Sequence, residues 1–305
     1  MTSEHGSDSI EVSVVVCTRN RAESLSRCLD AFARISAVST TWELVVVDNG
    51  STDATPDVLA RAAEGFGERL RVLHEPTRGL GGARNRGWQG ATGAIVACTD
   101  DDCYPEPDYV DAIAACFAED PGLDFLGGRI RLYDPTDLPI TIHDEPDRRD
   151  VLPHRFVPAY RIQGANFAFR RALAEEIGGF DPLLGAGARF PAGEDFDFVA
   201  RAAWLGHRGA YDPRPVVWHH HGRKTPADRA AIMRQYATGS GACLAKRLLD
   251  RRSRRVFARA SLEQVWDDLR TKHTLGQLPR QAAAAIEYAF VRARAGRGDR
   301  PRRVS

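Results

Sequence analysis

The chain has 305 residues, 43% hydrophobic and 27% charged, an ordinary composition for a globular protein with length enough to bury a real core. No apolar run approaches the roughly 20 residues of a membrane span, and the opening MTSEHGSDSIE lacks the basic and apolar regions of a signal peptide, so a cytoplasmic protein is expected. The net charge of +1 conceals an asymmetry: from Gly222 to Ser305 there are 20 Lys/Arg against 7 Asp/Glu, a balance of +13, which leaves −12 for the remainder.

In chain order, VSVVVCT (12–18) is apolar without alternation, as in a strand buried on both faces. RAESLSRCLDAFARI places Leu25, Cys28, Leu29 and Phe32 at helical spacing. WELVVVDNGSTD predicts a second buried strand running into a turn, followed by a helix over 54–64 and a short strand LRVLHE. After the glycine-rich RGLGGARNRG (78–87) come a helix near 83–92 and the strand AIVACTD. Strand and helix alternate as in βαβ units, which predicts an α/β chain with a mostly parallel, doubly wound sheet. In such sheets ligands bind beyond the carboxyl ends of the strands. Thr18, Asp48 and the triplet Asp100, Asp101, Asp102 fall at those ends.

Past about residue 128 the pattern loosens into a Pro/Asp-rich stretch at 134–153. GANFAFRRALAEEIGGFD predicts strand, helix and glycine turn; GEDFDFVARAAWLGH a helix opened by acids, which suits the positive end of its dipole. AYDPRPVVWHHH predicts a strand leading into His219, His220 and His221, residues 225–295 read as helical, and the end RAGRGDRPRRVS as disordered.

Adjacent carboxylates repel, so the aspartate triplet calls for a cation. Mg²⁺ and Mn²⁺ take oxygen ligands, and imidazole from the histidine run can complete such a shell. Asp48 can accept N–H groups of a base or a ribose hydroxyl, or close an Asx turn. The glycines at 78–87 lack the Lys-Ser/Thr ending of a P-loop and by themselves fit a flexible loop, with Arg84 able to pair with a diphosphate. Glu194, Asp195 and Asp197 exceed what one N-cap needs, which makes a general base available. The six cysteines show no paired zinc spacing and read as reduced thiols. The 39 arginines against 3 lysines suggest a GC-rich bacterial genome. With few interleaved aromatics, the basic end does not indicate nucleic acid; contact with an anionic membrane face suits it better.

Taken in order, VVVCTRNR, ELVVVDNGSTD, RGLGGARNRG, CTDDDCYPEPDYV, GANFAFRR, GGFD and GEDFDF resemble the GT-A fold of the family 2 glycosyltransferases, over roughly residues 11 to 221. The resemblance implies an inverting transferase that moves a sugar from a nucleotide-diphosphate donor to a hydroxyl acceptor, lipid-linked or small, with Mn²⁺ or Mg²⁺. It implies a nucleotide-binding half over 11–128, an acceptor half over 129–221, a basic helical extension over 222–295 and a disordered tail over 296–305. By position, Thr18 and Asp48 hold base and ribose, Arg84 lies beside the nucleotide, and Asp101 and Glu194 flank the donor. Asp100 and Asp102 form the DxD motif, Asp102 as metal ligand and Asp100 nearer the ribose. Gly164 to Asn166 line the sugar, Asp195 is the base, and His219 and His221 contact the metal. A sugar-phosphate nucleotidyltransferase, or a non-catalytic sugar- or nucleic-acid-binding protein on the same fold, is the alternative. The 134–153 insertion departs from the pattern where acceptor specificity is built.

Overall fold

The computed structural model describes residues 10–158, 160–250, 253–255, 258 and 275–298. Strands β1 (Val12–Thr18), β2 (Trp42–Asp48), β3 (Leu70–His74) and β4 (Ile95–Asp100) form a parallel block in the order β3-β2-β1-β4. In β1, β2 and β4 the side chains alternate between two cores, which explains their apolar sequences; β3, at the edge, is partly exposed. Val14, Val16, Leu44 and Val46 pack with Leu25, Cys28 and Phe32 of α1 (Ala22–Phe32) and with Tyr109 and Ile113 of α4 (Tyr109–Glu119). Val15, Val45 and Val47 pack on the other face with Ala83 and Trp88 of α3 (Leu80–Gly90). Helix α2 (Thr55–Phe66) joins β2 to β3, as expected.

The glycine-rich stretch is not a loop: from Leu80 onward it is helix α3. A Cβ at Gly87 would stand 2.3 Å from Val15 Cγ1, and one at Gly81 would stand 2.5 Å from the Asp181 carbonyl oxygen. These glycines let the helix sit against the sheet and the 181–184 turn, and that contact overrides their low helix propensity.

The second half of the sheet is mixed. β6 (Phe125–Leu132) ends at the carboxyl edge, and no crossover helix follows it. Residues 133–165 run back toward the amino edge, with residues 149–151 paired beside residues 209–211, then return to the carboxyl edge and enter β8 (Asn166–Arg170), which runs antiparallel to both β4 and β6. β9 (Gly209–His219) is parallel to β6, while the short β5 (Cys103–Pro105) and β7 (Arg149–Val151) pair antiparallel with β9. The parallel, doubly wound character thus belongs to the first half.

Helices α5 (Arg171–Ile177) and α6 (Glu194–Leu205) follow as predicted. The extension supplies α7 (Pro226–Leu249), started by a reciprocal capping box between Thr225 and Asp228, and α8 (Leu278–Gly298). A third core joins them to the rest: Leu184 and Phe190 meet Ala242, Cys243 and Ala245 of α7 and Ala284 and Tyr288 of α8. The tail expected to be disordered lies outside the described residues from 299 onward. Among the described residues no helix is long and apolar enough to cross a membrane.

Candidate active site

The parallel register aligns Thr18 with Asp48 and Cys17 with Asp100, so the polar residues of the strand ends share one edge. There the chain forms a cavity of about 780 Å³, lined by Thr18, Arg84, the three aspartates, Gly164, Glu194, Asp195 and His219.

The triplet is neutralised by side chains distant in sequence. Arg21 Nε lies 2.9 Å from Asp101 Oδ1, and its Nη2 lies 2.6 Å from Asp102 Oδ2. Thr18 donates its hydroxyl to Asp101 Oδ2 at 2.7 Å. His219 Nε2 stands 3.3 Å from Asp102 Oδ1. Burial, with Arg21 opposing it, pushes the Asp101 carboxyl up to about 7. Burial works against the Asp102 charge as well, but His219 and then Arg21 hold that carboxyl well below the usual range. One potential ligand atom from each of Asp100, Asp102, Cys103 and His219 falls in a group spanning 4.8 Å. Burial pushes the Cys103 thiol well up, and soft sulfur is a poor match for a hard cation. Two carboxylates and one imidazole remain, a donor set that fits Mn²⁺ or Mg²⁺.

Arg84 is fixed from α3, with only 2% of its side chain exposed. Its Nη1 donates to Glu194 Oε1 at 2.8 Å; its Nη2 donates to Asp100 Oδ1 at 3.1 Å and to the Gly164 carbonyl at 3.0 Å. Burial opposes the charge, but Glu194 and then Asp100 outweigh it and raise the guanidinium above its ordinary value. Burial and Asp195, against Arg84, push the Glu194 carboxyl up to about 7. Gly164 must be glycine here, since a Cβ would stand 2.4 Å from Arg84 Nη1. The same residue donates its N–H to Asp195 Oδ2 at 2.7 Å, while Asp195 Oδ1 accepts from Phe196 N–H at 2.7 Å. A chain of contacts therefore runs from Asp100 through Arg84 and Gly164 to Asp195.

Three expected residues stand apart from the cavity lining. Asp48 closes an Asx turn, accepting from Ser51 N–H at 2.9 Å, and faces a shallower depression beside His74. Asn166 is a buried strut: its amide nitrogen donates to the Arg129 and Pro215 carbonyls, and its oxygen accepts from Tyr109. His221 has both ring nitrogens engaged, Nδ1 accepting from Arg223 N–H and Nε2 donating to the Leu138 carbonyl, so no lone pair is left for a metal.

Two contributors were not anticipated. Arg21 lies three residues past Thr18, just beyond the end of β1. Helix α7 supplies a cavity wall through Arg229, Ile232, Met233 and Tyr236. Their i, i+3, i+4, i+7 spacing was readable as a helix face. The segment assigned to a separate extension thus builds part of the site.

Residues 13–178 match the model of glycosyl transferase family 2. Glycosyltransferase AglE of Haloferax volcanii is 25% identical over 283 residues, 92% of this chain and 89% of its own length. A PGL/p-HBAD biosynthesis glycosyltransferase of Mycobacterium tuberculosis is 36% identical over 119 residues, 39% of this chain and 46% of that protein. Among solved structures, mannosyltransferase PcManGT from Pyrobaculum calidifontis, in complex with GDP-Man and Mn²⁺, superposes with a TM-score of 0.63 at 24% identity, covering 92% of this chain and 75% of that one. TarS 1-349 of S. aureus, in complex with UDP-GlcNAc, gives 0.59 at 21% identity over 90% of this chain and 79% of that one. With the family match running over more than half of the chain and the mixed sheet superposing as it does, this chain belongs to glycosyl transferase family 2 and is a glycosyltransferase built on the GT-A fold.

Proposed function

We propose that the enzyme transfers a sugar from a nucleotide diphosphate to an acceptor hydroxyl with inversion, using a divalent ion held by Asp100, Asp102 and His219 and using Asp195 as general base. One observation carries this reading: the cation cluster and Asp195 line a single cavity, joined through Arg84 and Gly164. The solved neighbours, one complexed with GDP-Man and Mn²⁺ and the other with UDP-GlcNAc, support a nucleotide-sugar donor and differ in base.

Thr18, at the end of β1, faces the nucleoside; Arg21 and Arg84 face its phosphates. The bound ion would offset the charge that grows on the β-phosphate as the nucleotide departs. Asp195 removes the proton of the acceptor hydroxyl while that oxygen bonds to the anomeric carbon, and the bond from that carbon to the β-phosphate oxygen breaks. The two N–H donors on Asp195 aim its carboxylate without neutralising it. Glu194 keeps Arg84 aligned and does not itself reach the reacting atoms.

Release of the nucleoside diphosphate, measured over a panel of sugar nucleotides in Mn²⁺, tests the proposal. Asp195→Asn is expected to lower kcat by about 10²–10⁴ with nucleotide affinity unchanged. A variant that kept its turnover would remove the base assignment. Placement on an anionic membrane face is part of the same reading. It is supported by Ile286 and Phe290, exposed one turn apart on α8, with Arg294 over the Phe290 ring at 4.3 Å.

A further inference from the structure

The cavity has two chemically different sides. One is ionic: Arg19, Arg21, Arg78 and Arg84 with the aspartate triplet. The other is formed by α7, whose Ile232, Met233 and Tyr236 give it an apolar strip, with Arg229 and Gln235 on the same wall. Tyr236 lines the same cavity as Asp195 and Asp100, so this wall shares the space of the reacting centre. Pro139, Ile140 and Ile142 of the insertion and the exposed Tyr160 line the same space.

That wall is held in place before any ligand arrives. Leu138 N–H donates to the Arg223 carbonyl at 2.8 Å, His221 Nε2 donates to the Leu138 carbonyl at 3.0 Å, and Lys224 Nζ pairs with Asp134 at 2.8 Å. His221 and the 134–153 insertion, neither of which the transfer step uses, together form this strap.

A glycan acceptor presents hydroxyls on every side, and each one buried without a partner costs roughly 1–3 kcal/mol. An apolar wall beside the base is poorly matched to such a molecule. At about 780 Å³, the cavity also lies in the upper part of the roughly 300–1,000 Å³ range of small-molecule sites, which leaves room for a second molecule beside the donor.

We infer that the acceptor carries an extended apolar or aromatic portion next to its reactive hydroxyl, seated between α7 and the strap; this rests on the transferase reading above. The test is calorimetric titration of a 4-alkylphenol series, from methyl to heptyl, onto the full-length protein saturated with Mn²⁺ and whichever of UDP, GDP or dTDP it binds. Affinity is expected to rise about fourfold per added methylene, the equivalent of about 0.8 kcal/mol, until the wall is covered. Met233→Asp should reduce heptylphenol affinity at least tenfold while nucleotide affinity holds. Tyr160→Asp, at an exposed position where folding is not at risk, should act in the same direction. Affinity that does not vary with chain length, or that survives both substitutions while the nucleotide still binds, would overturn the inference. Failure of all three nucleotides to bind in Mn²⁺ would instead remove the transferase reading, and the inference with it.

Discussion

Asp197 sits two residues after the proposed base, on the first turn of α6, with none of its side chain exposed. Three cations surround it: Lys246 Nζ at 2.8 Å, Arg201 Nε at 2.8 Å and Arg247 Nη2 at 3.1 Å. Lys246 also reaches Asp181 at 2.7 Å, where Tyr288 of α8 donates its hydroxyl at 2.7 Å. Burial works against the Asp197 charge, but Lys246, Arg201 and Arg247 outweigh it and bring the carboxyl from 3.8 down to about 2. A carboxyl depressed in the folded state contributes stability that is complete above its ordinary value and lost as pH falls through the folded one. Nearly two pKa units correspond to about 2–3 kcal/mol, of which about 1 kcal/mol is gone by pH 3. Asp197→Asn also leaves a buried ammonium and two guanidiniums facing a neutral amide, so the total loss at pH 7 should be about 3–5 kcal/mol. Urea unfolding of both proteins at pH 7 and pH 3 measures this: the difference between them should shrink by about 1 kcal/mol at the lower pH. A difference below 1 kcal/mol at pH 7, or one identical at both pH values, would refute the view that this network clamps α6 to the C-terminal helices.

Other outcomes follow from the same geometry. Asp102→Ala should abolish Mn²⁺-dependent binding of the nucleotide, and chelation of the wild-type protein should do the same until Mn²⁺ is restored; unchanged calorimetric affinity would count against the metal cluster. Gly164→Ala forces Arg84 aside and should destabilise by about 1–3 kcal/mol in urea, with turnover lost because Asp195 loses its aligned partner. Full-length protein should float with vesicles containing phosphatidylglycerol and be released in 1 M salt, where the Debye length is about 3 Å. Ile286→Asp should weaken that flotation, and equal flotation on neutral vesicles would remove the membrane contact.

Much of the fold was legible because β1, β2 and β4 are buried on both faces, and a strand so placed cannot hide its apolar run. The helix at 80–90 was harder to read, since four glycines in its eleven residues mimic a loop unless the sheet beneath is known. The antiparallel course of β8 is set by the return of the chain to the carboxyl edge before residue 166, which periodicity does not report. For the site, residue type and strand-end position pointed to the triplet, and the glycine-rich motif and the acid-opened helix pointed to Arg84 and Asp195, which line the same cavity. They did not separate His219 from His221, because neighbouring histidines on one segment differ only in what each ring meets. His219 meets Asp102, whereas His221 meets two backbone groups. Asn166 shows the converse: its side chain has the right chemistry for a sugar, but all its hydrogen-bonding groups are engaged within the core.

The repulsion within Asp100–Asp102 is resolved by spreading the three carboxylates over different partners. Asp100 leans on Arg84, buried and immobile in α3; Asp101 takes the Thr18 hydroxyl and Arg21; Asp102 takes Arg21 and His219. These cations are not equivalent. Arg84 is bound on three sides and cannot leave without stranding Glu194. The Arg21 side chain is 43% exposed and can swing into solvent. A divalent ion bound as proposed would therefore compete with Arg21 for Asp102 and would leave Arg84 where it is. The arginine so displaced would still line the cavity, free to meet the negative charge of a donor diphosphate.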